Sequence, residues 1–159
     1  MNNIFFIDNN LKFKANKSNL TQEDVLKNRP FAFHGENDFI TFYTQYNGLV
    51  FPYGAFFYRD SFYQASSNDY NFLDVGAFFE ISDANNSIEK MWKALKEDLE
   101  TKELALKYFP FGNDSSGNLY CIESESGTVY YLTHENPKNI TKVAPTFLEF
   151  CNKIQGEMR

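Results

Sequence analysis

From Tyr108 to Pro137 the chain reads YFPFGNDSSGNLYCIESESGTVYYLTHENP, short aromatic-rich runs cut by Gly, Asn, Asp and Ser. Asn118 to Glu123 and Thr128 to Thr133 alternate like strands and flank Ser124-Glu125-Ser126-Gly127, a Gly-containing connection suited to a hairpin. In the break before them, Asp114 and Ser115 can bond the backbone and Gly117 can take a positive φ, which is the chemistry of a turn. A phosphate cradle would need more. FGNDSSG lacks the Lys-Ser/Thr of a P-loop and the third Gly of a dinucleotide fingerprint. Residue chemistry therefore makes this stretch two strands and their turns.

Helical period appears on either side. Thr21-Gln22-Glu23-Asp24 forms a capping box, with Leu20 placed to staple onto Val25, and that helix stops near Arg29-Pro30. A second helix is expected from about Asn37 to Asn47, with Phe39, Phe42, Tyr43 and Tyr46 on one face and Asn47-Gly48 as the stop. A third starts at Asn86 or Ser87, with an apolar stripe of Ile88, Met91, Trp92, Leu95 and Leu99 opposite a charged row of Glu89, Lys93 and Glu97. The last opens on Thr146 and Glu149 and buries Phe147, Phe150, Cys151 and Ile154. Both stripes are core faces.

Strands are expected over Leu49–Tyr58, with Phe51, Tyr53, Ala55 and Phe57 on one face, and over Phe72–Ile81 and Leu104–Phe111. The patch from Gln64 to Asp69 reads as a loop. Helices and strands do not alternate strictly, so the class is α+β in a single domain spanning 1–159. An aromatic content of 18% leans the same way, because Phe and Tyr favour half-buried pleated surfaces.

A net charge of −6 argues against nucleic acid and against an anionic membrane as partners, since both select clustered Lys and Arg. A basic protein or a small molecule stays open. Cys121 and Cys151 sit in apolar patterns and make no disulfide framework. The N-terminal MNNIFFIDNN has no basic segment, and no run approaches the roughly 20 apolar residues of a membrane span, so a cytoplasmic protein is expected.

Candidate chemistry is sparse. His34 and His134 have no HExxH, CxxC or neighbouring His, so no metal site or cofactor is expected. His134 lacks a Gly-x-Ser-x-Gly elbow, and no catalytic residue is assigned. Asp114, Glu123 and Glu125 gather around the hairpin with Glu135 nearby in sequence. They are either a carboxylate row for a basic partner or a solvated hairpin end. Tyr58, Tyr63 and Tyr70 are candidate surface anchors, since Tyr is favoured at interface centres.

Phe109-Pro110-Phe111-Gly112-Asn113-Asp114, Gly117-Asn118-Leu119-Tyr120-Cys121-Ile122, Gly127-Thr128-Val129-Tyr130-Tyr131 and His134-Glu135 together resemble the SUKH superfamily of yeast Smi/Knr-type cell-wall-synthesis regulators and many bacterial proteins. Ala144 with Thr146-Phe147-Leu148-Glu149-Phe150 fits its closing motif, and Phe39 through Gly48 is similar to its helix ending in Asn-Gly. The resemblance implies one α+β domain with a twisted, mainly antiparallel sheet and helices packed on it. It makes Gly48, Gly117, Asn118, Gly127, Val129, Phe147 and Phe150 structural. It also implies a non-catalytic protein-binding domain, an immunity protein that neutralises a cognate toxin, with a basic nuclease as a suitable target. A regulatory scaffold or a small-molecule-binding domain is the alternative.

Overall fold

The computed structural model describes residues 4–8, 10–64 and 70–156. Among the described residues four α-helices accompany nine strands: α1 (Gln22–Asn28), α2 (Glu36–Gln45), α3 (Ile88–Glu97) and α4 (Phe147–Lys153). The strands are β1 (Lys14–Lys17), β2 (Tyr46–Val50), β3 (Phe56–Tyr58), β4 (Phe72–Asp74), β5 (Ala77–Phe78), β6 (Tyr108–Asn113), β7 (Leu119–Glu123), β8 (Val129–Leu132) and β9 (Thr141–Ala144). Seven of them form one sheet in the order β1-β2-β5-β6-β7-β8-β9, and β3 with β4 forms a second. Every neighbouring pair is antiparallel, as the α+β expectation requires.

Local chemistry sets the helix starts. The Thr21 hydroxyl accepts from the Asp24 amide at 3.1 Å while Asp24 accepts from the Thr21 amide at 2.9 Å, the reciprocal pair that satisfies two orphan donors. Ser87 and Thr146 cap α3 and α4 through the hydroxyl alone, accepting the Lys90 and Glu149 amides at 3.2 Å, without the reciprocal bond. The rings of α2 and α4 then meet the sheet: Phe147 contacts Phe39, Phe42, Phe78 and Phe111 at centroid distances of 5.2–5.9 Å. Phe150 touches Phe111 and Tyr120 in the large sheet and Phe57 in the small one, so it locks the two sheets together.

Several expectations are corrected. α2 ends at Gln45 and the chain turns straight into β2, so Asn47 and Gly48 lie within a strand. Asn47 clamps Ile81 from both sides, accepting its N–H at 2.8 Å and donating to its carbonyl at 3.1 Å. Leu49–Tyr58 is not one strand, because the chain leaves the large sheet after Val50 and re-enters pairing at Phe56 in the small one. Phe51, Ala55 and Phe57 are buried as expected, but Tyr53 sits exposed in the intervening turn. Phe72–Ile81 likewise divides into β4 and β5, which serve different sheets. Leu104–Leu106 is a 3-10 turn, so β6 starts only at Tyr108. Leu99 falls beyond α3 and is 82% exposed, outside the apolar stripe. Apart from Gln64, the predicted loop from Gln64 to Asp69 lies outside the described residues.

The β7–β8 turn also holds the segment ahead of α2. Glu125 donates its N–H to the Ala32 carbonyl at 3.2 Å, and its own carbonyl accepts the His34 N–H at 2.8 Å. That crossing brings the His34 carbonyl so close that a Cβ on Gly127 would lie 1.9 Å from it, at a φ of +72°. Gly117, at φ +88°, has nothing within 4 Å of the same virtual atom. Gly117→Ala should therefore cost only the left-handed strain, about 1–2 kcal/mol. Gly127→Ala adds overpacking against backbone and should cost about 2–5 kcal/mol in urea denaturation. Equal losses for the two would show that the crossing is loose.

Candidate functional site

At the end of β6, Asp114 is buried, only 5% exposed, and both its oxygens are engaged. Oδ1 accepts the Ser116 and Asn118 amides at 2.9 and 2.8 Å, closing the turn that carries the chain into β7. Oδ2 accepts the Asn118 side-chain amide at 2.9 Å and the Tyr131 hydroxyl at 2.5 Å. A buried carboxylate is tolerable only when donors surround it, and this one has four.

Two branches leave Asp114. Through Asn118, whose Oδ1 can only accept, the network reaches the His134 amide at 3.0 Å and its Nδ1 at 2.8 Å. Nδ1 is therefore assigned a proton, which it donates to the Asn118 oxygen. Through Tyr131 it reaches Arg59, whose guanidinium carbon lies 5.8 Å from the ring centroid. Burial raises the Tyr131 phenol far above its ordinary range, and the bond to the Asp114 carboxylate adds to the rise. Tyr120, whose hydroxyl donates to the Asp74 carbonyl at 2.6 Å, is raised by burial and then by Tyr131 and Asp114.

These groups surround a cavity of about 400 Å³ between the β3–β4 hairpin and the ends of β7, β8 and β9. Arg59, Asp74, Asp114 and Asn118 line it with Tyr131 and His134, while Tyr70 and Phe72 form its outer wall. Cross-strand pairing puts Tyr58 opposite Phe72 and Phe56 opposite Asp74. The three rings form a ladder, Phe56 on Phe72 at 5.2 Å with Tyr58 5.3 and 6.0 Å from them. Phe72 in this ladder is 53% exposed and Tyr70, on the cavity wall, 84% exposed.

Three of the sequence candidates, Asp114, Glu135 and Tyr70, line this cavity, and Tyr58 stands beside it in the ladder. Tyr63 is half-buried under the Lys142 ammonium, 5.5 Å from its ring centroid. Glu123 and Glu125 do not join them. They sit at the far end of β7, roughly 17 Å away at about 3.3 Å per strand residue. There Glu123 meets Lys107 at 3.7 Å and the Ser126 hydroxyl at 2.5 Å. Arg59, Asp74 and Phe72 went unnoticed in the sequence. A single Arg inside the aromatic run FFYRDSFY was the available signal for the first. Among the described residues no three His, Cys, Asp or Glu side chains are grouped as metal ligands, and no helix is long and apolar enough to cross a membrane.

Residues 36–153, well over half of the chain, match the family model described as SMI1 / KNR4 family (SUKH-1). The chain belongs to the SUKH-1 family. No curated protein and no solved structure matches it. The SUKH-1 match takes in α2 through α4, and hence the whole Asp114 network and the β3–β4 hairpin.

The network of this SUKH-1 domain makes a pH prediction. Tyr43, Tyr120 and Tyr131 all have folded-state pKa values raised by burial. The unfolded chain therefore loses these protons first, so stability is full below pH about 10 and falls as pH rises beyond it. Tyr131→Phe removes a donor from Asp114 and should cost about 1–2 kcal/mol at neutral pH. It should also make the alkaline loss shallower, as read from urea midpoints across that pH range. An unchanged midpoint and slope would contradict the bond.

Proposed function

We propose that this chain is a non-catalytic binding protein of the immunity type, which neutralises a cognate toxin by covering it. Family membership supports the class. The observation that carries the reading is the ladder of half-buried Phe56 with exposed Tyr58 and Phe72, with Tyr70, Asp74 and Glu135 lining the adjoining cavity. Large rings bury much area at little entropic cost, and interface hot spots are enriched in them. Carboxylates at the rim suit a basic partner, such as a nuclease that must itself hold nucleic acid, and they favour fast encounter. The net charge of −6 works in the same direction.

In this account Tyr58, Tyr70 and Glu135 touch the toxin with Phe72, while Asp114 acts from below by fixing the turn. Tyr63 lies at the margin, and Glu123 and Glu125, at the opposite end of β7, stay outside the interface. The encounter takes place in the cytoplasm. Inhibition of this kind needs surface complementarity and no reacting group.

The test is capture of the product of the neighbouring gene on the immobilised protein, at low and high salt, with growth rescue on co-expression. Wild type should hold one stoichiometric partner, with slower association in high salt. Tyr58→Ala with Phe72→Ala should weaken binding by about 30-fold or more, the effect of losing one hot spot, while the free protein stays folded at the assay temperature. Equal capture by the double variant would remove this face from the interface. Capture of housekeeping proteins alone would favour a regulatory scaffold.

A further inference from the structure

We infer that the cavity floored by Arg59 is a binding site for a small zwitterion, an amine and a carboxylate on one compact frame, such as a free amino acid. Arg59 is only 4% exposed, and among the described residues no carboxylate lies within ion-pair distance of it. Its Nε donates to the Tyr70 carbonyl at 3.1 Å and its Nη1 to the Thr141 hydroxyl. Nη2 makes no hydrogen bond among the described residues. Among the described residues no fully enclosed side-chain nitrogen or oxygen lacks a partner, so Nη2 is not sealed in, and the cavity that Arg59 lines is the space we assign to it. A buried guanidinium without a counter-charge is costly, and the planar fork matches a carboxylate.

A plain anion would meet the wrong company. Asp74, Asp114 and Glu135 line the same cavity. Asp114 is saturated by its four donors, but among the described residues Asp74 has only Oδ2 engaged, by the Ser115 amide at 2.8 Å. Asp74 Oδ1 and the exposed Glu135 remain as acceptors for an ammonium group. A plain cation would face Arg59. A ligand bearing both charges satisfies both ends, and the Phe72 and Tyr70 wall receives its apolar part. The volume of about 400 Å³ is in the range of small-ligand pockets.

The site is tested by thermal shift of the full chain with each proteinogenic L-amino acid at millimolar concentration. Calorimetric titration follows with the best of them, its decarboxylated amine and its deaminated acid. At least one amino acid should raise the melting temperature, and either one-charge analogue should bind about tenfold or more weakly. Arg59→Lys, which keeps the charge and loses the fork, should bind about tenfold more weakly as well. Should that variant fail to fold, Asp74→Asn serves. Its amide oxygen still accepts from Ser115 while the charge is gone, and the same loss is expected. No shift with any amino acid, or undiminished binding by a one-charge analogue or by Asp74→Asn, overturns the proposal.

Discussion

The carboxylate of Asp114 is the interaction on which the candidate site depends. Its four bonds turn the chain from β6 into β7 and in the same act orient Asn118 and Tyr131. Asn118 then fixes the His134 ring, and Tyr131 lies against Arg59. In a low-dielectric setting such a network is strong while every member is satisfied and costly once one is removed. This explains why an acidic side chain at the tip of a turn points inward. It also separates two roles that look alike in sequence: Asp114 organises the cavity from inside, whereas Glu135 stands at the rim in solvent.

The aromatic core supplies the frame for that network. Phe147 and Phe150 meet rings from α2, β5, β6 and β7, and Phe150 also holds Phe57 of β3. Edge-to-face pairs contribute about 0.5–1.5 kcal/mol beyond area burial. With Phe57 turned inward, Phe56 and Tyr58 on the same strand must face outward, which is how a three-residue strand comes to display an aromatic ladder. The backbone bonds between Phe56 and Gln155, at 2.9 and 2.8 Å, hold the hairpin against the end of the chain beyond α4. Core packing and the displayed surface are thus two faces of one alternation.

Features with short-range causes were legible in the sequence. The Thr21–Asp24 capping box, the N-caps Ser87 and Thr146, the β7–β8 hairpin and the apolar stripes, Leu99 apart, are written within a few residues, and they appear as expected. Strands whose stability comes from their neighbours were not. Lys14-Ala15-Asn16-Lys17 has no apolar alternation and pairs only as an edge strand, β9 has four residues, and β5 was expected only as part of one longer strand. The same distinction divides the site. The Asp114 turn was readable because its partners are two and four residues away, whereas Arg59 bonds to residues 11 and 82 positions distant. Closeness in sequence also misled: Asp114, Glu123 and Glu125 fall within a dozen positions, yet the length of β7 separates the first from the other two.

Amide hydrogen exchange at Ser116 and Asn118 tests the organising role of Asp114 most directly. Ser116 lies on an exposed turn and would exchange freely without a specific acceptor, so its protection reports the Asp114 bond alone. Both amides should be protected in the wild type to a degree approaching the β7 amides. Asp114→Ala should abolish that protection along with the ordered position of the His134 ring. Rapid exchange of both amides in the wild type would contradict the account.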